Sequence, residues 1–447
     1  MTLAERRLWS VGLPLALGIL LLLATQWAGL AVTAGLVVVA IFAARARSWA
    51  LAACAAVWSA AMLAVQTLPG PYDSWAGKAV LPVLAGYVSV FLAAWAIGRQ
   101  VISWRTDRIN LPMPRPRPQL RWPTDRRLLT YLLVLLGIAS VTAAIRFRGV
   151  VPPLFADNPD VARQALRLQS SIVIGLLSEA WTLGMGVSLL RAVSGNRSRS
   201  LIFYVLAGVF TVGAALGASK NSVLVGIAPA LIAALSARHS RPRASKSFKK
   251  IPVILLIAAV VLGTAVFLGG QRTMAGTGSF ETEFRSRYGN SALASSAASL
   301  DLSLSSSTET FGRLWSQREN FEPTYGAYSL TFLGSHAQPL FGQVDLYGLT
   351  SQLSQPYFMN TATFVAIPLL DYGPIGVLFF LAALGLAIGS TERWFEFSAS
   401  PAAQLGRGFI VYFALFGVYE LYPLIYPTWL SLVPGLWVLH WLGRTAK

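Results

Sequence analysis

The residues best suited to chemistry in this sequence are cations set apart from its main basic clusters. Arg146, Arg148, Arg163 and Arg167 fall within IRFRGVVPPLFADNPDVARQALR, and Lys220 occupies the short turn GASKNS. Arg272 follows an apolar block at once, and Arg285, Arg287, Arg313 and Arg318 come later in the same polar stretch. A guanidinium offers forked donors and stays charged, so several of them beside apolar blocks suit a pyrophosphate. Arg163 and Arg167 are four apart and share a face if Pro159 opens a short helix, with Asp160 favourably in its first turn. The competing reading is contact with lipid headgroups, or pairing with Asp157, Asp160, Glu281, Glu283 and Glu319.

Proton transfer has three candidates. Asp371 lies in TFVAIPLLDYGPIGVLFFLAALG, where Pro368, Gly373 and Pro374 should kink or split a helix, and an arginine is its expected partner. Glu420 lies in YELYPLIYP, near the end of an apolar block. Carboxylates in or beside membrane spans are functional candidates by default, Glu179 included, although helix-end solvation or a structural ion pair accounts for them equally. His336, in FLGSHAQPLF, is the side chain best matched to proton transfer near neutrality.

These residues must be positioned by membrane helices. Of 447 residues, 55% are hydrophobic and 12% charged, about half the charge of a soluble domain. The apolar residues come in blocks long enough to cross hydrocarbon: 9–25, 28–44, 49–65, 79–97, 128–145, 171–190, 201–216, 222–235, 251–268, 364–388, 408–422 and 428–442. In lipid the backbone must satisfy its own hydrogen bonds, so the expected fold is all-α, a polytopic protein of about twelve transmembrane helices. No cleavable signal peptide is evident, because the first apolar stretch runs directly into a second.

Placing the N-terminus inside puts 25 of the 36 Lys and Arg residues in cytoplasmic segments and 11 outside. That asymmetry explains most of the net charge of +18, so nucleic acid is set aside as a partner. The basic segments 111–123 (LPMPRPRPQLRWP) and 239–250 read as topology determinants, or as sites for anionic lipid or a partner. The organisation expected is a four-helix region with its basic loop (1–127), a central membrane region (128–268), a large extracytoplasmic loop (269–363) and three C-terminal helices (364–447). Within that loop the Ser-rich half, 291–307, is either functional or disordered, with an amphipathic or surface-lying helix as a form it can take, whereas the aromatic half looks folded. Cys54 is the sole cysteine, and His239, His336 and His440 are scattered, which excludes disulfides and the usual zinc spacings; no metal or cofactor is expected.

Four segments, GVVPPLFADNPDVARQALR, GASKNSVLVG, PTYGAYSLTFLGSHAQPLF and NTATFVAIPLLDYGPIGVLFFLAAL, together resemble the oligosaccharide repeat-unit polymerases, the O-antigen polymerase (Wzy-type) group, over about 146–388. Members show a G-x-P-L-F element followed by an arginine, a turn before a span that commonly holds arginine, a tyrosine–glycine loop, and a helix with D-x-G-x-x-G. Here Lys220 keeps the charge of that turn but lacks the fork. The resemblance implies a metal-independent glycosyltransferase of the C-type membrane superfamily (GT-C-like). Its substrate would be an oligosaccharide carried by polyprenyl pyrophosphate at the outer face of the plasma membrane. Arg148, Arg163, Arg167, Arg272 and Lys220 would then hold the pyrophosphate, and Asp371, Glu420 and His336 compete to be the base. Trp315, Tyr325 and Tyr328 offer flat faces for sugar rings. The bilayer is a partner by construction, and a chain-length regulator or flippase of the same pathway is a further one. The alternatives are a ligase-type transferase to another acceptor, a lipid-linked sugar transporter, or a noncatalytic scaffold of the envelope machinery.

Overall fold

The computed structural model describes residues 49–67, 76–108, 120–156, 162, 165–166, 172–194, 200–217, 220–238, 289, 291, 305–330, 345–353, 363–396, 398–418 and 428–444. Apart from turns and two short 3-10 segments, these are helices, and no strand occurs among them. In chain order they are α1 (Trp49–Thr67), α2 (Ala76–Arg108), α3 (Asp125–Arg146), α4 (Ile172–Ser178), α5 (Ala180–Ser194), α6 (Ser200–Ala215) and α7 (Lys220–Arg238). Then follow α8 (305–316), α9 (Leu346–Leu353), α10 (Ala366–Glu396), α11 (Pro401–Phe416) and α12 (Thr428–Arg444). Among the described residues, five stretches are long and apolar enough to cross a bilayer: Trp49–Gln66, Ala76–Ser103, Asp125–Arg146, Val173–Ser194 and Ala366–Glu396. The chain is a helical, membrane-embedded protein. The expected spans 9–25, 28–44 and 251–268 lie outside the described residues.

The helices pack in two groups. In the first, α1, α2, α8 and α10 enclose Trp58, Leu84, Phe91, Trp95, Phe311 and Leu381. In the second, α3, α5, α6, α7 and α12 enclose Leu132, Met185, Phe210, Ala230 and Leu439. Helix α11 joins them, turning Val411 and Ala414 to the first core and Leu405, Phe409 and Tyr412 to the second. Where α2 meets α10 the backbones nearly touch. A Cβ on Gly389 would fall 2.1 Å from the Trp95 carbonyl oxygen, and one on Gly98 2.4 Å from that of Leu386. Small residues permit such approach between membrane helices, where dispersion rather than water exclusion supplies the attraction. The opposite faces are apolar and exposed, with Val134, Ile138 and Val141 on α3, Val205, Val209 and Val212 on α6, and Ile375 and Phe379 on α10. Lipid is the medium that such faces fit.

Contacts between distant residues define the two ends of the bundle. At one, the Arg121 N–H donates to the Ala399 carbonyl (2.9 Å), Arg191 meets Asp125 (2.7 Å), and His440 Nδ1 lies 3.0 Å from Ser400 Oγ. At the other, the Leu154 N–H donates to Leu216 (3.2 Å), Phe364 to Gly417 (2.9 Å), and Ser431 Oγ to Leu176 (2.7 Å). Residues that the arginine count assigns to one side of a membrane meet at one end. We refer to them as the basic end and the loop end.

Three expectations change. The span expected at 408–422 begins instead at Pro401, because Arg407, which reads in sequence as a loop cation, is 2% exposed inside α11 and paired with Glu392. The span expected at 171–190 is present with its bounds moved to Val173–Ser194 and one turn residue inside it at Glu179, whose carboxylate accepts from Thr182 Oγ1 (2.9 Å). The described end of the Ser-rich stretch is a helix that is buried and not surface-lying: Ser305 to Thr310 of α8 are all buried.

Candidate functional site at the loop end

Helix α8 is polar yet buried, and its hydrogen bonds explain how. Thr310 Oγ1 donates back to the Ser306 carbonyl (2.8 Å), and Ser307 Oγ donates to that of Val418 (3.0 Å). The buried Glu309 carboxylate accepts from the Gly77 N–H (2.8 Å), at the positive end of α2, and from Arg313 Nε (2.9 Å). Gly312 sits directly on Ala76, where a Cβ would come within 2.5 Å of backbone. Thus α8 is fastened to the start of α2 and delivers the following segment, 317–330, to the loop end.

That segment meets α10 where the helix is broken. Gly373 has φ +67 and ψ −178, a conformation open to glycine, and Pro374 next to it has no N–H to donate. The break is the one that the DYGP motif predicts. The carbonyl of Pro374, just past the break, accepts from Tyr87 Oη on α2 (3.0 Å). Just before the break, Asp371 is fully buried. Its Oδ1 accepts from Thr324 Oγ1 (2.6 Å) and the Tyr328 N–H (2.9 Å), and its Oδ2 from the Ser329 N–H (2.7 Å) and Ser329 Oγ. The main chain adds Thr324 N–H to the Leu370 carbonyl (3.2 Å) and Tyr325 N–H to that of Asp371 (2.9 Å). The expected arginine partner of Asp371 is therefore replaced by neutral donors. A carboxylate has about four acceptor positions, and all of them are taken, which leaves none for an incoming hydroxyl.

The loop held in this way is strained. Tyr325 has φ +51, uncommon for a bulky residue, and Gly326 has φ +111. Such a residue costs on the order of 1–3 kcal/mol and persists only when its surroundings over-determine it; here the Asp371 bonds do. The result is a tyrosine 79% exposed at the loop end, with Tyr372 (37% exposed) beside Gly326. Tyr328 is half-buried, and burial, then the charges of Asp371 and Asp345, raise its phenol above the usual range.

The three expected sugar-stacking aromatics are brought into one region but are unequal. Trp315 meets the ring of Tyr87 edge-on (6.1 Å) and that of Phe311 at 6.3 Å, while Arg318 lies over its face at 4.8 Å. Its stacking face is thus taken. Tyr325 is the one of the three with an open ring.

Arg148 and Lys220 belong to the second helix group. Arg148 is exposed just after α3, and GVVPPLF continues as a 3-10 turn (Pro153–Phe155) anchored on Leu216, just past the end of α6. Lys220 is the first residue of α7. Two of the resembling segments, far apart in sequence, therefore share the loop end. Arg163, Arg167, Arg272, His336 and Glu420 lie outside the described residues. Among those described, no group of three or more His, Cys, Asp or Glu is placed to hold a metal ion. Sequence reasoning missed Thr324, Ser329, Glu309 and Tyr372; the spacing of hydroxyls around YG in PTYGAYS was the available signal.

No protein-family model, curated protein or solved structure matches this chain. Its site is read from its own residues.

Proposed function

We propose that this protein is a membrane glycosyltransferase that polymerises polyprenyl-pyrophosphate-linked oligosaccharide repeats at the outer face of the plasma membrane. Twelve GT-C-like spans, cytoplasmic termini and an extracytoplasmic loop end complete this reading. The observation that carries it is the fastening of the PTYGAYS loop onto the broken DYGP helix, with an open tyrosine at the bundle end that also bears Arg148 and Lys220. An aromatic face suits a sugar ring, and cations suit a pyrophosphate leaving group.

In the reaction, an acceptor sugar hydroxyl forms a bond to the anomeric carbon of the donor. The carbon–oxygen bond to pyrophosphate breaks, and its electron pair leaves on polyprenyl pyrophosphate, whose charge falls to Arg148, Arg163, Arg167, Arg272 and Lys220. The hydroxyl proton goes to His336 or Glu420, because Asp371 is committed to the loop.

The test is deletion followed by sizing of the lipid-linked and surface glycans, with Arg163→Ala and Lys220→Ala complementation. Single repeats left on the carrier, and variants that accumulate in the membrane without restoring long chains, are the expected result. Full-length glycan accumulating unattached on its lipid would make the protein a ligase. Unchanged glycans would overturn the reading.

A further inference from the structure

The contact between Asp371 and residues 324–329 has a property that a proton acceptor does not need. Its donors come from three residues of one short loop, two of them through side-chain hydroxyls and two bonds through the main chain. Between those anchors stands Tyr325, in a backbone conformation that a tyrosine leaves when nothing enforces it, with its ring turned outward. The neighbouring positions fit the same end. A Cβ on Gly326 would lie 3.6 Å from Tyr372 Oη, and one on Gly373 would lie 3.9 Å from Pro323 Cγ, so the loop and the broken helix are in close register.

We propose that Asp371 is a positioning residue, and that the loop it holds presents Tyr325, with Tyr372 at its side, as an aromatic platform for one pyranose ring of the glycan. This inference rests on the glycosyltransferase reading and names its sugar subsite. A pyranose presents an apolar C–H face that packs on an aromatic ring, whereas its hydroxyls stay in water or find donors nearby. The competing role for an exposed tyrosine in a membrane protein is an interfacial anchor among lipid headgroups. An anchor would not need a strained backbone, and it would not respond to glycan.

The chain provides a clean background for a test. Cys54 is its only cysteine; it is buried, with its Sγ–H directed at the Ala414 carbonyl (3.6 Å). Glu322 is exposed in the same loop, so Glu322→Cys in intact cells reports on the platform through its rate of reaction with a membrane-impermeant maleimide. The probe is the lipid-linked glycan extracted from the deletion strain and supplied in excess. Glycan should slow labelling several-fold. That protection should vanish with Tyr325→Ala, survive with Tyr325→Phe, and vanish with Asp371→Asn, whose NH2 group would face either the Tyr328 or the Ser329 N–H and leave that donor unsatisfied. Should Asp371→Asn fail to accumulate, Thr324→Val and Ser329→Ala, each removing one donor, should weaken protection by smaller steps.

If Asp371→Asn abolishes chain growth but leaves protection intact, the residue acts on the reaction and not on the loop, and the proposal falls. It falls equally if Tyr325→Ala leaves protection unchanged, as for a lipid anchor. Labelling does not require turnover, so the two readings separate. Protection without any effect of deletion on glycan length would leave a glycan-binding platform and remove the polymerase. Loss of long chains on deletion, without protection, would do the reverse.

Discussion

Helix α10 carries a fully buried carboxylate near each end, Asp371 at the loop end and Glu392 at the basic end, and they are satisfied in opposite ways. Asp371 accepts from two hydroxyls and two main-chain N–H groups, all uncharged. Glu392 accepts from Arg407 through Nε (2.8 Å) and Nη2 (2.5 Å) and meets Arg99 at its other oxygen. Glu396 continues the network with Arg99 (2.9 Å) and Arg393 (2.7 Å), and Arg393 Nε donates to Ser103 (3.0 Å). Along α10 the two carboxylates are about 30 Å apart at 1.5 Å per residue, the thickness of a hydrocarbon core. The donors to Asp371 are neutral groups of one loop, so parting them separates no ion pair. Guanidinium groups contributed by α2, α10 and α11 cannot leave without stranding a charge, so the Glu392 network locks three helices. One helix thus carries a fixed end locked by ion pairs and an adjustable end held by neutral donors.

The largest effect is expected from breaking the fixed end. Glu392→Leu strands Arg407, itself 2% exposed, and removes one partner of Arg99. Breaking a buried pair from one side costs about 3–5 kcal/mol, which should appear as a sharply lower melting temperature in detergent and reduced membrane accumulation. Adding Arg407→Leu should restore part of the loss, because the stranded charge goes with it. If Glu392→Leu melts like the wild type, the network does not lock the helices and the contrast drawn here is wrong.

Next comes the α2–α10 interface that links the ends. Gly389→Ala places a methyl 2.1 Å from the Trp95 carbonyl oxygen, main chain that cannot swing aside. Overpacking of this kind costs about 1–3 kcal/mol. The melting temperature should fall less than for Glu392→Leu, and the glycan protection described for Glu322→Cys should weaken as α10 shifts off α2. Normal stability with lost protection would mean that the helix pair transmits position without setting stability.

How far these features are legible in the sequence differs between the two ends. The apolar blocks announce α1, α2, α3 and α10 because hydrocarbon imposes a length on them. DYGP announces the break at Gly373, since proline and glycine act locally. Arg407 misleads, because a cation amid apolar residues marks a boundary unless a partner lies elsewhere, and Glu392 is fifteen residues away on another helix. Asp371 misleads in the same manner, its donors lying 42 to 47 positions upstream. The Ser-rich end of the loop before α8 reads as surface because hydroxyls are polar. In α8 they bond to their own helix and to Val418, and so they bury like small apolar groups. Residue type is local and legible; pairing across the fold is neither.

The smallest effect should come from the one bond that ties the scaffold to the adjustable end. Tyr87 Oη donates to the Pro374 carbonyl at 3.0 Å, the first carbonyl beyond the break in α10. Tyr87→Phe keeps the ring against Trp315 and removes only that donor. A single neutral hydrogen bond is worth about 0.5–1.5 kcal/mol net, so global melting should fall by a few degrees or less. The effect should be local: faster amide hydrogen exchange around 371–376 and in 324–329, with exchange around 389–396 unchanged. Faster exchange at both ends would show that α10 moves as one rod. In that case Asp371 and Glu392 would belong to a single rigid unit, and releasing the loop would require loosening the basic end as well.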